Sequence, residues 1–352
     1  DTTGLVFIGR DSSEGGDLKL DGYADGTPHQ LTLSSDEKAT IKFAKENCTN
    51  GVVAVINACN VMELDELVSG EYAVDAIVWM GYPGSNGSQS LADILCGKVN
   101  PSGRTVNAWV SDLTADPSYA NMGTFVYDAA EVEGSHAVGN SFVEYEEGIY
   151  VGYKYYETAY ADAQGEDAKE AAYANVLYPF GYGLSYADFE MEFASTPAYD
   201  EATNSFTFEV EVRNTNPTHA SRTPVELYVE TPYIESEGIE KSKVVLVAFD
   251  KTPEIAPNTG ETVTLTVNRD QLASYDWQDN EAYKLSAGEY RFYVDYGKYG
   301  AHCWANTSDS ASVLTWDYDL ASEIVFDGDN NRDSDQVTAT NQFDDVNRGD
   351  GA

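Results

Sequence analysis

The stretch GLVFIGRDSSEGGD, Gly4–Asp17, joins an apolar run too short for a helix to a glycine-rich turn that holds an acidic residue. A brief apolar run closed by turn residues reads as a buried strand. Two further runs of the same kind, GVVAVIN (Gly51–Asn57) and DAIVWMG (Asp75–Gly81), follow it with helix-like segments between. That alternation predicts an α/β domain, a mostly parallel sheet covered by helices on both faces. LTLSSDEKATIKFAKENCTNG (Leu31–Gly51) predicts a capped helix: Ser34 or Ser35 as N-cap, Asp36 and Glu37 in the first turn, Ile41 and Ala44 inward, Gly51 as the stop. NVMELDELVSG (Asn60–Gly70) predicts the next connecting helix.

From Ala115 to Asn140 periodicity fades into a long loop, a length that in compact domains often serves function. Six tyrosines then crowd Tyr145–Tyr160, and VLYPFGYGLSY (Val176–Tyr186) adds three. Such rings either pack a core with wet edges or line a carbohydrate cleft. After Tyr186 the period becomes two. SFTFEVEVRNTN, TPVELYVETPY, KVVLVAFDKT, TVTLTVNRDQL and GEYRFYVDYG read as strands of an all-β antiparallel sandwich. The expected division is 1–188 for the α/β domain, 189–305 for the sandwich, and 306–352 for a strand-like piece followed by an acidic linker or tail.

The formal charge is −40, from 60 acidic and 20 basic residues. Phosphate recognition needs clustered Lys and Arg, so nucleic acid and anionic membrane surfaces are excluded as partners and neutral substrates fit better. Cys48, Cys59, Cys96 and Cys303 lack CxxC spacing and read as small core residues. The four histidines have no ligand spacing, and the expected cofactors and metals are none. Asn100–Arg104, NPSGR, lacks a P-loop lysine and carries Pro101 where a phosphate cradle needs a backbone donor. It reads as a turn packing the sheet edge.

Taken together, these motifs resemble glycoside hydrolase family 3, the β-glucosidase and β-xylosidase group. VFIGRDSSEGGD is similar to the family's strand and acid/base loop, and MGYPGSNGSQSLADILCGKVNPSGRTVNAW to its G-x-x-G…N-P-S-G-R segment. YEEGIYVGYKYYE and LYPFGYGLSYADFE resemble its tyrosine-rich blocks, and the sandwich resembles its fibronectin type III-like domain. The resemblance runs from about Gly4 to Tyr296. It implies a partner that this sequence lacks: a (β/α)₈ barrel of roughly 250 residues, whose aspartate is the nucleophile. The acidic end resembles the linker of permuted members, which places the barrel downstream of Ala352. The strand and helix that normally precede the acid/base loop are also outside this sequence.

Retaining glycosidases use two carboxyl groups about 5–5.5 Å apart, one attacking the anomeric carbon, the other protonating the leaving oxygen and then activating water. Glu14 is the expected general acid/base. It follows a buried strand, where α/β sheets place their ligands, and Gly15 and Gly16 permit backbone angles that project it. Arg10 and Asp17 are read as a salt-bridged pair fixing the loop ahead of direct substrate contacts. Glu147 and Tyr150 are read as reaching the aglycone side of the cleft, with packing an equal alternative for Tyr150. The resemblance implies part of a retaining exo-acting β-glycosidase, β-D-glucosides first and xylosides or arabinosides next, inactive without the barrel. Self-association and compartment are left open. The alternative is a non-catalytic carbohydrate-binding or surface adhesion module.

Overall fold

The computed structural model describes residues 1–10, 22–121, 125–126, 141–143, 145–327 and 330–335. The chain opens with β1 (Gly4–Gly9), α1 (Ser35–Asn47), β2 (Val52–Asn57), α2 (Asp65–Val68), β3 (Ala76–Trp79) and α3 (Gly87–Leu95). The three strands form one parallel sheet in the order β1-β2-β3. Ser34 caps α1 in a full capping box, its side chain accepting from the Glu37 N–H while the Glu37 carboxylate accepts from the Ser34 N–H. Ile41 and Ala44 of α1 then bury against Val6, Ile8 and Ile56. Strand β1 alternates strictly, so Leu5 and Phe7 face away from this core and stay about half exposed.

The α/β part continues through β4 (Trp109–Val110), β5 (Phe125–Val126), β6 (Ser141–Phe142), α4 (Tyr153–Asp162), α5 (Glu166–Tyr173) and β7 (Val176–Tyr178). β4 pairs antiparallel with β7, and β5 with β6.

The sandwich begins with β8 (Phe189–Phe193), β9 (Ala198–Asp200), β10 (Ser205–Asn214), β11 (Pro224–Glu230), β12 (Val245–Lys251) and β13 (Gly260–Asn268). It continues with β14 (Ser274–Asp276), β15 (Ala282–Leu285), β16 (Gly288–Asp295), β17 (Val313–Leu320) and β18 (Ile324–Phe326). One sheet runs β13-β10-β8 with β9 also on β10, and the facing sheet runs β12-β11-β16-β17. A small sheet, β14-β15-β18, closes one side. Phe206, Phe208, Val210 and Val212 alternate inward along β10 and meet Val225, Leu227, Val229, Phe292 and Val294 of the other sheet. The segment after residue 305 is part of this body: β17 pairs with β16 from Val313 to Leu320, and Trp316 covers Phe206 and Phe208.

Much of the tyrosine-rich block is spent where the two parts meet. Tyr153 stacks on Phe180 at 4.6 Å, and its hydroxyl accepts from the Leu246 N–H of β12. The buried Glu157 carboxylate accepts from Tyr173 Oη at 2.7 Å, His302 Nδ1 at 2.8 Å and Trp304 Nε1 at 2.6 Å, tying α4 to the turn after β16. The NPSGR turn reaches the contact between the parts as well. Arg104 crosses into the sandwich, donating to Gly297 O, Tyr296 O and Thr223 Oγ1, so its half-buried guanidinium finds its hydrogen-bond partners across the contact between the two parts. The cysteines divide as well. Cys303 is core as expected and Cys48 is half-buried, whereas Cys59 and Cys96 are exposed because the strand-end loop and the end of α3 that carry them are uncovered.

Candidate functional site

The carboxyl ends of the three parallel strands are stitched into one edge. Arg10 N–H donates to Asn57 O at 3.3 Å, Met80 N–H to Ile56 O at 3.0 Å, and Asn57 Nδ2 to Gly81 O at 2.6 Å. Trp79 Nε1 donates to Ala58 O at 2.7 Å, and Tyr82 Oη reaches back to Arg10 O at 2.7 Å. In open parallel sheets this is the edge at which ligands bind, since strand-end loops converge there.

Arg10 follows β1 directly and precedes the acidic glycine-rich stretch in the sequence. Its side chain is 8% exposed and all five of its N–H donors are used. Nη1 bonds Glu37 Oε1 at 2.6 Å and Gly9 O at 2.7 Å. Nη2 bonds Glu37 Oε2 at 2.9 Å and Thr32 O at 2.7 Å, and Nε bonds Gln30 O. With all five donors engaged, Arg10 ties the end of β1 to the Gln30–Thr32 segment and to the start of α1. Glu37 answers as a carboxylate: burial works against its charge, but the bonds from Arg10 and the Ser34 N–H bring it below the usual range. The returning segment is pinned a second time. His29 Nε2 lies 3.2 Å from Glu63 Oε1, which also accepts from Leu113 N–H at 2.7 Å, and Leu31 N–H donates to His29 Nδ1. Burial raises Glu63, partly offset by the Leu113 N–H and His29.

Glu14 and Asp17 lie outside the described residues. Glu147 and Tyr150 sit in a turn closed by Tyr150 N–H on Glu147 O at 3.0 Å. Tyr150 is half-buried, and burial, then Glu240, then Tyr233, raises its hydroxyl. These two neighbours belong to the sandwich, so the turn bridges the two parts. Tyr145 is 77% exposed beside it. A cavity of about 330 Å³ opens just beyond, between Val106–Val110, Tyr119 and Val151–Tyr153. Among the described residues, no helix is long and apolar enough to cross a membrane.

Sequence reasoning treated Glu37 only as a first-turn helix acid and did not single out Tyr82, His29 or Glu63. The Ser34-x-x-Glu37 spacing is the one local signal that marks Glu37 as more than a surface charge. Its pairing with Arg10 spans 27 positions and needs the fold.

Residues 2–153 match the glycosyl hydrolase family 3 C-terminal domain, and residues 223–296 match the fibronectin type III-like domain. A Ruminococcus albus β-glucosidase is 28% identical over 89% of the chain, which covers 29% of that enzyme. A Bifidobacterium breve exo-α-(1→6)-L-arabinopyranosidase is 30% identical over 66% of the chain, covering 25% of it. The solved β-glucosidase from Paenibacillus barengoltzii superposes with a TM-score of 0.69 at 25% identity, over 93% of this chain and 31% of that one. The chain thus spans between a quarter and a third of the length of these relatives. It is a glycoside hydrolase family 3 C-terminal α/β domain joined to a fibronectin type III-like sandwich, the part that lies C-terminal in enzymes of that family.

Proposed function

We propose that this chain supplies the acid/base half of a retaining exo-acting β-glycosidase, with Glu14 as the residue that protonates the leaving group. The observation that supports the reading is the Arg10 clamp at the carboxyl end of β1, which ties Gly9 to Gln30, Thr32 and Glu37 just ahead of Glu14 in the sequence. The nucleophilic aspartate belongs to a (β/α)₈ barrel outside this sequence. In the first step the aspartate attacks the anomeric carbon while Glu14 gives its proton to the glycosidic oxygen, and the aglycone leaves as an alcohol. In the second, Glu14, now a carboxylate, takes a proton from water, which displaces the aspartate and releases the sugar with its configuration retained. The β-glucosidase relatives support terminal β-D-glucosyl units as substrate; xylosides and arabinosides stay second, the latter supported by the arabinopyranosidase relative.

The test is Glu14→Ala in the full-length enzyme, assayed on aryl β-glucosides. Turnover of phenyl β-glucoside should fall ~10²–10⁴-fold. Azide should restore turnover of an activated dinitrophenyl glucoside and yield the β-glucosyl azide, since azide replaces the base without needing one. Unchanged hydrolysis in the variant would leave a binding or adhesion module as the better reading.

A further inference from the structure

We propose that Tyr233 and Trp277 form a carbohydrate platform on the fibronectin-like sandwich, one that takes a neutral β-glucan chain. The choice of a β-linked chain rests on the glycosidase reading; the platform itself does not. Both rings stand in water, Tyr233 65% and Trp277 64% exposed, on turns that buried groups hold stiff. The buried Asp276 carboxylate accepts from the Gln278 and Asp279 N–H groups at 3.2 and 3.0 Å and from Asn280 Nδ2 at 2.6 Å, which fixes the turn that presents the indole. Beside Tyr233, Lys241 Nζ donates to Pro232 O at 2.6 Å and to Ser286 Oγ at 2.7 Å, and Ser286 Oγ donates on to Glu237 Oε2 at 2.5 Å. The two turns touch: a Cβ at Gly238 would stand 2.8 Å from Gln278 Oε1. Toward the α/β part, a Cβ at Gly148 would stand 3.8 Å from Glu240 Oε2, and burial, then Glu240, then Tyr233, raises the Tyr150 hydroxyl. The turns therefore form one row, from Tyr150 through Tyr233 and Glu240 to Gln278 and Trp277.

The chemistry of the row selects the ligand. Tyr and Trp supply rigid contact area at low entropy cost, and a ring face takes the C–H face of a sugar while the sugar's hydroxyls seek polar partners beside it. Glu235, Glu240 and Asp279 are exposed on the same turns, and the exposed Gln278 amide offers both a donor and an acceptor. These carboxylates repel an anionic chain and accept hydrogen bonds from a neutral one. A protein-docking core is depleted of charged groups, whereas three carboxylates share these turns with the rings, and Ile239 beside them is buried.

Retardation of the full-length enzyme in native gels containing a soluble neutral β-glucan tests the platform, and it needs no hydrolysis. The wild type should be slowed. Trp277→Ala and Tyr233→Ala should each raise the apparent Kd for the glucan roughly 3–10-fold and leave kcat/KM on phenyl β-glucoside within about 2-fold of wild type. Phe249→Ala removes an equally exposed ring at the far end of β12 and should leave retardation unchanged. A wild type that is not slowed, or retardation that both Trp277→Ala and Tyr233→Ala keep, would overturn the platform. Loss of self-association in those two variants with retardation intact would assign the rings to a second copy of the chain and overturn it equally. Phenyl β-glucoside turnover that survives Glu14→Ala would overturn the acid/base reading instead and leave the retardation result standing.

Discussion

At Gly300 the backbone lies at φ +58°, and a Cβ there would stand 1.9 Å from Phe180 O. Neither atom can yield, because Phe180 O accepts the Ala301 N–H at 2.8 Å and that bond seals the α/β part to the sandwich. Gly300→Ala should therefore cost about 3 kcal/mol or more, combining positive-φ strain with overpacking against backbone. Thermal or denaturant unfolding measures it, and a loss under about 1 kcal/mol would mean that the contact opens easily. Glycine at 300 is unremarkable in sequence. The same holds for Arg10, whose five bonds include two to carbonyls 20 and 22 positions away and two to a carboxylate 27 positions away.

At the scale of elements, β17 shows how a strand can be legible while its partner is not. SVLTWDYDL announces an alternating strand, but nothing local says that it pairs with β16 across the 300–306 turn. Without β17, the rings of Phe206, Phe208 and Phe292 lose the Trp316 cover that now lies within 6.0 Å of each. A chain ended after residue 305 should thus be insoluble or unfolded, whereas one ended after 335 should keep the wild-type unfolding transition. Circular dichroism of the two truncations decides the matter. Helix α1, by contrast, was legible in full, because its cap, first-turn acids and inward face are all local signals.

Over the whole molecule, the two parts meet around three buried ionisable groups. Arg104 comes from the α/β side, while Glu226 and Asp295 are register partners on β11 and β16. Asp295 Oδ2 accepts three backbone N–H groups, from Gly297, Tyr299 and Gly300, while its Oδ1 has no partner among the described residues. Glu226 accepts from Tyr228 Oη at 2.9 Å. One cation and two carboxyls balance only if a proton stays on the pair. Burial, then the Asp295 charge, pushes Glu226 up to about 8, and burial outweighs the three N–H groups to raise Asp295 to about 6. Both groups hold protons more tightly folded than unfolded. Their contribution to stability is therefore greatest below the ordinary carboxylate range and is lost as pH rises, through about 6 for Asp295 and about 8 for Glu226, at up to ~1.4 kcal/mol per pH unit per group. Glu226→Gln should flatten that slope and raise stability at pH 8 by on the order of 2 kcal/mol. Melting curves across the range check it, and a variant less stable than wild type at pH 8 would show that Glu226 is ionised there at little cost.

Sequence alone determined the order of the parts, the three parallel strands, the capped helix, the alternating sandwich strands and the family resemblance, because each is written in short-range period, capping chemistry or contiguous motif. Only the tertiary structure decided what the buried polar groups do. It made Arg10 a clamp closed by Glu37, turned the NPSGR arginine into a bridge, spent much of the tyrosine block on the contact between the parts, and set Glu226 against Asp295. Those roles come from desolvation and from hydrogen bonds between residues far apart in the chain, so they exist only once the fold has brought the partners together and removed the water between them.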